Sequence, residues 1–288
     1  MNIHKAVIPA AGFGTRFLPA TKAQPKEMIP VVDKPIIQYG VEEAVMSGIR
    51  NIAVITSRGK TTMEDHFDNS PELESFLEEK GKTDYLKEVQ KISRLGEFCF
   101  IRQKKALGLG HAIGMAESYI GQEPFAALLP DDIFVCDTPC TKQLIDTYKE
   151  FNATIVVLGR VDEEGTKKYG IIKPKQISER VFQVEDLAEK PGPEKAQSNL
   201  GLIGRYVFSP EIFDAIRQTK PDHRGEIQIT DAIKVLLDRQ PVYGYLFEGR
   251  RYDCGHKMGL LKAAVALALK RPEFQNDLRE YLKNLLKL

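Results

Sequence analysis

The sequence predicts an α/β fold with a mainly parallel sheet and crossover helices. Short apolar segments of β type alternate with helical patterns along the first half of the chain, which is typical of such a sheet. The 288 residues, 42% of them hydrophobic and 28% charged, can form a large core without disulfide or metal staples. We find no internal repeat and no low-complexity linker, so we expect one continuous domain over residues 1–288.

The first half of the chain supplies the parallel part of the sheet. The predicted strands are 5–9, 52–56, 98–102 and 125–129. A helix is predicted from Pro35 to Gly48, because proline favours the first helical position and glycine the end. The charged segment 61–94 has helical spacing, which predicts two or three surface helices inserted between the second and third strands. A further helix is predicted over 110–119.

From residue 153 onward the pattern loosens. The strand-like segments are 154–158, 170–173, 181–184 and 201–208, and short irregular links separate them. This spacing predicts an added antiparallel or mixed layer. The predicted helices of the tail are 228–238, 256–270 and 272–288. The chain therefore divides roughly into 1–150, an extension over 151–255 and C-terminal helices over 256–288.

Composition excludes several classes of protein. Lys and Arg number 41 against 40 Asp and Glu, a net charge of +1, so no basic surface for nucleic acid is expected. The four cysteines show no paired or zinc-like spacing, which predicts reduced, partly buried thiols. The apolar start is too short for a signal peptide, and no apolar stretch approaches the roughly 20 residues of a membrane span. We therefore expect a soluble, cytoplasmic protein.

The strongest local motif is a glycine-bearing loop directly after the first strand. It reads Ala-Ala-Gly-Phe-Gly-Thr-Arg over 10–16. Small residues let backbone N–H groups approach a phosphate or a base. It is not a dinucleotide-binding fingerprint, because Phe17 stands where the third glycine would fall. The alternative is a tight turn without a ligand.

Two cations follow this loop. Lys26 comes after Pro25, which holds it in an extended stretch, and with Arg16 it offers a fork-shaped donor and a point charge for a triphosphate. The alternative is a pair of surface charges whose stems cover apolar residues. A P-loop at Lys60 is disfavoured, because Val54 stands where its first glycine is required.

Carboxylates follow two strands that are far apart in the sequence. Asp131 and Asp132 come directly after the fourth strand, and Asp253 ends a short strand before a helix. One or two carboxylates together with substrate phosphates are what Mg²⁺ prefers. The alternative is a turn or helix-cap role. Only the fold could bring Asp131 and Asp253 together.

A second acid-and-base pair stands at a strand edge in the second half. Glu189 could accept hydrogen bonds from sugar hydroxyls, and Lys190 could hold a monophosphate. The alternative is an exposed turn. Gly170 and Gly201 are positions where a ligand could approach the backbone closely, or where the strand simply bulges.

Taken together, these motifs resemble the sugar-1-phosphate nucleotidylyltransferases, and in particular the bacterial UTP–glucose-1-phosphate uridylyltransferases. The resembling segments are 10–28, 32–39, 102–112, 129–132, 189–191, 225–233 and 253–255, in the family's order over nearly the whole chain. The resemblance implies a Rossmann-like, mainly parallel mixed sheet, with a nucleotide-binding part over 1–150 and a sugar-binding part over 151–255. It also implies a magnesium-dependent reaction of UTP with glucose 1-phosphate that gives UDP-glucose and pyrophosphate, by direct in-line attack on the α-phosphorus.

The resemblance also assigns residues to roles. The nucleotide would contact Ala11, Gly12, Gly14, Thr15, Gln103 and Gly108. The catalytic cations would be Arg16, Lys26 and Lys190. Glucose would contact Gly170, Glu189 and Gly201, and Lys190 would hold its phosphate. The metal ligands would be Asp131 and Asp253. Asp132 departs from relatives that have an apolar residue there, and we expect it behind the metal ligands.

Two alternatives stay open. One is a related enzyme with another nucleotide or sugar, because a pocket discriminates a methyl group by only about 1–3 kcal/mol. The other is a non-catalytic regulator that binds sugar nucleotides, against which the intact charged residues argue. The expected partners are the small molecules UTP and glucose 1-phosphate, without nucleic acid or membrane. We also expect a homo-oligomer, a dimer or a tetramer, with 61–94 and the C-terminal helices as candidate contact surfaces.

Overall fold

The computed structural model describes residues 2–286. The strands are β1 (Lys5–Pro9), β2 (Pro30–Val31), β3 (Lys34–Pro35), β4 (Asn51–Thr56), β5 (Glu97–Arg102), β6 (Phe125–Leu128), β7 (Asp132–Val135), β8 (Thr154–Arg160), β9 (Gly170–Gln176), β10 (Val181–Glu189), β11 (Leu200–Phe208), β12 (Val242–Leu246) and β13 (Arg250–Asp253). The helices are α1 (Ile36–Met46), α2 (Thr62–Phe67), α3 (Pro71–Glu79), α4 (Thr83–Ser93), α5 (Leu109–Gly114), α6 (Glu117–Ile120), α7 (Cys140–Phe151), α8 (Glu163–Thr166), α9 (Ile212–Gln218), α10 (Ile229–Leu237), α11 (Lys257–Ala268) and α12 (Pro272–Leu286).

Nine strands form one mixed sheet, in the order β5-β4-β1-β6-β11-β8-β12-β10-β9. The first four strands of this order are parallel, and β11 runs antiparallel between β6 and β8. Strand β9 also pairs with β11, Gly201 opposite Ile171, so the far half of the sheet curls back on itself. Two short ladders, β13-β7 and β2-β3, lie outside the main sheet.

The predicted α/β fold with a mixed, helix-flanked sheet is confirmed, but the strands of the second half do not form an added layer. They continue the main sheet, because β11 is buried along its whole length and pairs on both sides. The division of the chain into a nucleotide part and a sugar part stays a prediction.

The helical insertion at 61–94 is present as three helices, α2, α3 and α4. The helix predicted over 110–119 is divided into α5 and α6 after Gly114. Several elements are not predicted from the sequence, among them β7, α7, α9 and β12. The last helix is present to Leu286, and the rest of its predicted range lies outside the described residues.

The core has two halves, one on each face of the sheet. Successive strand residues point to opposite faces, so Val7 and Ile55 pack on one side while Ile8 and Val54 pack on the other. A smaller third core lies beneath α11. These cores fix the strands whose ends carry the site.

The predictions made for the thiols and for the membrane can be compared with residues 2–286. All four cysteines are free, with Cys140 and Cys254 buried and Cys99 and Cys136 half-buried. In this part of the chain, no helix is long and apolar enough to cross a membrane.

The carboxyl ends of β1, β4, β5 and β6 lie along one edge of the sheet, because these four strands are parallel. The loops that follow them therefore meet at this edge, where ligands of open α/β sheets bind. They carry the glycine loop, Lys60, Gln103 and Asp131.

Candidate active site

A cavity of about 400 Å³ opens at the carboxyl ends of these parallel strands. It is lined by every residue predicted for the nucleotide: Ala11, Gly12, Gly14, Thr15, Gln103 and Gly108. A side chain built at Gly12 would meet no atom within 4 Å, so the backbone there faces open space. The loop thus presents its backbone to whatever occupies the cavity.

Two glycines of this cavity permit close packing. The side-chain position of Gly14 lies 3.1 Å from Cβ of Lys26, so the loop rests directly on the lysine stem. Gly108 has a φ of +93°, and a Cβ there would lie 2.7 Å from the carbonyl oxygen of Ile227. Only glycine fits such a position without moving the backbone. The mouth of the cavity is therefore built from closely packed main chain.

Gln103 is 6% exposed and held on three sides. Its backbone N–H donates to the carbonyl of Thr56 over 2.8 Å, which extends the pairing of β4 with β5. Its Nε2 donates to the carbonyl of Gly108 over 3.3 Å and lies 2.8 Å from Nδ1 of His111. A fixed amide in the cavity wall can read the edge of a base, and recognition of uracil by this amide stays a prediction.

Lys26 and Asp131 form an ion pair in the floor of the cavity, with Nζ 2.6 Å from Oδ2. Burial acts to lower the pKa of Lys26, but Asp131 and then Glu27 outweigh it, and that pKa is raised. Burial acts to raise the pKa of Asp131, but Lys26 outweighs it and that pKa is lowered. Both groups therefore stay charged at neutral pH.

Arg16 lies at the rim, on the wall of a second cavity rather than the first. It is close enough to act on the pKa of Lys26, which its positive charge lowers. Among residues 2–286 it makes no ion pair. The guanidinium is thus available to an anion that reaches from one cavity into the other.

The two predicted metal ligands are brought together by the β13-β7 ladder. In this ladder Asp253 stands opposite Asp132, and the N–H of Cys254 donates to the carbonyl of Asp131 over 2.8 Å. Oδ2 of Asp131 and Oδ1 of Asp253 lie 2.8 and 3.0 Å from one point, the side-chain position of Gly255. Two residues far apart in the sequence thus point their carboxylates at the same place.

This donor set fits Mg²⁺. Magnesium is usually held by one or two carboxylates, with water and substrate phosphates as its other ligands. Within residues 2–286 no group of three or more His, Cys, Asp or Glu side chains converges as a metal cage. A pair of carboxylates at the wall of a cavity is suited to a metal that arrives with its substrate.

A chain of hydrogen bonds along the wall of the second cavity holds the carboxylate of Asp253. Arg251 donates through Nε to Oδ1 of Asp132 over 2.6 Å and through Nη1 to the hydroxyl of Tyr169 over 3.1 Å. That hydroxyl donates to Oδ2 of Asp253 over 2.7 Å. Burial raises the pKa of Asp132 to about 7, against the opposing effect of Arg251. Asp132 contacts Arg251 and lines the second cavity together with Asp131 and Asp253, and its expected role behind the metal ligands stays a prediction.

The second cavity, of about 300 Å³, contains most of the residues predicted for the sugar. Gly170, Glu189 and Lys190 line it. Lys190 pairs with Oε1 of Glu189 over 2.7 Å, and Oε2 accepts from Oγ1 of Thr230 over 2.8 Å. A side chain at Gly170 would lie 2.8 Å from that hydroxyl, so this glycine leaves room for Thr230.

Gly201 does not line this cavity. Its side-chain position lies 3.0 Å from Val161 and 3.3 Å from Tyr169, so it faces packed side chains. The missing side chain is explained by close packing in β11, and a direct contact of Gly201 with glucose finds no support in this geometry.

The two cavities adjoin. They share four lining residues: Leu109, Leu129, Asp131 and Glu226. A group bound in one cavity can therefore meet a group bound in the other beside Asp131. Two small ligands placed end to end are what this cleft can hold.

Several residues of the site are not predicted from the sequence. Tyr169 and Arg251 hold Asp253, and Thr230 holds Glu189. Thr230 and Glu226 lie within the resembling segment 225–233, so a signal was available there. Tyr169 carries no signal beyond its position before Gly170.

Comparison with known proteins gives the class. Residues 5–269 match the family model described as nucleotidyl transferase. The chain belongs to this family of nucleotidyltransferases, which its cleft of two adjoining cavities suits.

Within this family the chain is similar to uridylyltransferases. It is 51% identical over 286 residues to the UTP–glucose-1-phosphate uridylyltransferase YngB of Bacillus subtilis (strain 168), covering 99% of this chain and 96% of that protein. A UDP-glucose pyrophosphorylase solved with UDP-glucose superposes with a TM-score of 0.86 at 43% identity, over 93% of this chain and 100% of that one. A UTP-bound UGPase of Acinetobacter baumannii superposes with a TM-score of 0.90 at 38% identity, over 99% of each chain. The resemblance drawn from the motifs is confirmed.

Proposed function

We propose that the chain transfers the uridylyl group of UTP to glucose 1-phosphate, in the presence of Mg²⁺, and releases pyrophosphate. The observation that carries this proposal is the pair of adjoining cavities that meet at Asp131. One has the glycine loop and Lys26, and the other has Glu189 and Lys190. The similarity to a protein solved with UDP-glucose and to another solved with UTP supports the choice of substrates.

The reaction needs positioning and charge neutralisation rather than a protein nucleophile. A sugar phosphate is already ionised at neutral pH, so one of its oxygens can attack the α-phosphorus directly. The new P–O bond forms as the bond from the α-phosphorus to the bridging oxygen breaks, and pyrophosphate leaves with that oxygen. Catalysis of this kind rests on alignment and on cations around the reacting phosphorus.

Each of the three predicted catalytic cations then has a place. Lys26 is fixed in the floor of the first cavity, near the phosphates of a bound nucleotide. Lys190 stands at the wall of the second cavity, where it can hold the phosphate of the sugar. Arg16, on the rim between them, can neutralise charge that develops at the point of transfer.

Covalent catalysis by the neighbouring cysteine is disfavoured by its environment. Cys254 follows Asp253 directly, and burial raises the pKa of its thiol to about 12. A thiol that stays protonated is a poor nucleophile. Direct attack by the sugar phosphate therefore needs fewer steps and agrees with the residues present.

Asp131 and Asp253 would hold the magnesium ion. When bound there, the ion would neutralise phosphate charge and order the triphosphate. Lys26 donates to Oδ2 of Asp131, the oxygen that faces Asp253, so a metal bound there would compete with Lys26 for this carboxylate.

A pyrophosphate-release assay tests this proposal. UTP or dTTP is combined with glucose 1-phosphate or with other sugar 1-phosphates, with Mg²⁺ or with EDTA. We expect release with UTP and glucose 1-phosphate, loss of release in EDTA and recovery when Mg²⁺ is added. Greater turnover with dTTP or with another sugar phosphate would favour the related-enzyme alternative.

A pair of matched variants separates catalysis from binding alone. Lys26→Ala should abolish most of the turnover, whereas Lys22→Ala changes an exposed lysine of the same segment and should leave it unchanged. Binding of UDP-glucose to the unaltered chain, without release of pyrophosphate from any substrate pair, would favour the non-catalytic regulator.

The oligomeric state and the cytoplasmic location stay predictions. The C-terminal helix α12 exposes Phe274, Tyr281, Leu285 and Leu286, which is consistent with a contact surface. Light scattering coupled to size exclusion would give the number of chains in the particle.

A further inference from the structure

We infer that Lys60 and Glu27 are positioning residues for the nucleotide cavity: their buried ion pair fixes the start of the glycine loop against the segment that carries Lys26. This inference rests on the proposed function and adds to it two buried residues next to the glycine loop. Lys60 belongs to the Gly-Lys-Thr triplet that the sequence disfavours as a P-loop.

Lys60 is fixed by its surroundings. It follows β4, it is 9% exposed, and its Nζ donates to the carbonyl of Ala10 over 2.6 Å and to Oε2 of Glu27 over 3.0 Å. The N–H of Ala10 donates to the carbonyl of Ile55 over 2.8 Å. Both backbone groups of Ala10 are therefore held by β4 and the turn after it, one residue before the loop enters the cavity.

Glu27 provides the other half of the link. It is 1% exposed and adjacent in sequence to Lys26, whose ammonium it helps to keep charged. Its Oε1 is enclosed and has no hydrogen-bond partner among the described residues. Glu27 borders the first cavity but is almost fully buried, so we expect its carboxylate to act through Lys60 and Lys26.

Stability alone does not account for this pair. Burial raises the pKa of Glu27 and lowers the pKa of Lys60, so each charge is costly at its position. Apolar residues of similar size often replace a buried ion pair without loss of stability. What an apolar pair cannot do is hold the Ala10 carbonyl by a hydrogen bond, which fixes the loop relative to Lys26.

The test compares Lys60, which contacts the residue that follows the carboxyl end of β1, with Lys5, which lies at the amino end of β1. In Lys60→Met the contact with the Ala10 carbonyl is lost. In the control, Lys5→Met, a lysine at the amino end loses two carbonyl contacts and one carboxylate contact, to Tyr119, Ile120 and Glu123. Calorimetry measures UTP binding, steady-state kinetics measure KM and kcat, and thermal unfolding measures stability.

We expect Lys60→Met to weaken UTP binding by about tenfold or more, since small displacements of a binding site cost this much. KM for glucose 1-phosphate should change far less, because Arg16 is the one residue of the glycine loop that lines the second cavity. Lys5→Met should leave both constants near those of the unaltered chain. If Lys60 had a purely structural role, Lys60→Met would lower stability and would affect UTP and glucose 1-phosphate equally.

A double variant keeps the inference testable if Lys60→Met does not fold. Lys60→Met with Glu27→Gln removes both charges and should fold normally, yet it should still bind UTP weakly because Ala10 lacks its donor. UTP affinity equal to that of the unaltered chain, in either variant, would overturn the inference. If the unaltered chain binds UTP and turns over, the proposed function stands whatever these variants do. If it binds neither UTP nor dTTP, the proposed function fails first.

Discussion

Arg205→Met should be among the most damaging single substitutions outside the cleft. The guanidinium is 1% exposed and lies against the carboxylate of Glu43, with Nη2 2.8 Å from Oε2. It also donates over 2.8 Å to the carbonyl of Leu129 and over 2.8 Å to that of Asp132. These two carbonyls flank Asp131, so Arg205 fixes the segment that carries this carboxylate.

The size of the effect follows from these contacts. Removal of one partner from a buried ion pair costs about 3–5 kcal/mol, and each buried carbonyl left without a donor adds about 1–3 kcal/mol. Part of this free energy is recovered because the surrounding side chains relax and because Thr141 still donates two hydrogen bonds to Glu43. We therefore expect a loss of about 4–6 kcal/mol, a large part of the roughly 5–15 kcal/mol that stabilises a domain.

Urea unfolding measures this loss, and pyrophosphate release measures its consequence for the site. Arg217→Met is the control, because Arg217 makes ion pairs with Glu117 and Asp214 but is half exposed. Exposed pairs contribute about 0–1 kcal/mol. The double change Arg205→Met and Glu43→Leu should recover most of the stability, since it removes the uncompensated charge.

Two results would refute this reasoning. One is a loss below about 1 kcal/mol for Arg205→Met, within the range of an exposed pair. The other is a double variant as unstable as the sum of its single variants, which would show that Arg205 and Glu43 do not depend on each other.

Two further predictions concern the cleft. Lys190→Ala should raise KM for glucose 1-phosphate with little change in KM for UTP, because Lys190 lines the second cavity and not the first. Steady-state kinetics with each substrate varied in turn measure the two KM values. An equal rise in both KM values would contradict this prediction. Asp131→Asn should lower kcat at saturating concentrations of both substrates, because it weakens the metal site and the ion pair with Lys26 together; an unchanged kcat, with an unchanged requirement for Mg²⁺, would contradict that role.

The parallel half of the fold could be predicted because its signals are local. Buried strands such as β1 and β4 are short apolar segments, and α1 is bounded by proline and glycine. Strand β7 has four residues and pairs only with β13, so its existence depends on a partner more than a hundred residues away. Helix α7 did carry a signal, since Leu144, Ile145 and Tyr148 repeat at helical spacing on its buried face.

The residues that touch a ligand could be predicted better than the residues that hold them. Small residues in a loop, or a carboxylate after a strand, point to chemistry by type and position. Nothing in the local sequence shows that Arg205 reaches Glu43, or that Lys60 reaches Ala10. Such contacts join segments brought together by the sheet, so only the fold reveals them.

The ion pair of Lys26 with Asp131 suggests how a chain with a net charge of +1 would bind the highly charged substrates that we propose for it. In the free protein the ammonium of Lys26 is neutralised by Asp131. A nucleotide phosphate would compete with Asp131 for Lys26, while a divalent cation would compete with Lys26 for Asp131. Arrival of both exchanges one internal pair for two pairs with the ligand. Nucleotide and metal should therefore strengthen each other's binding.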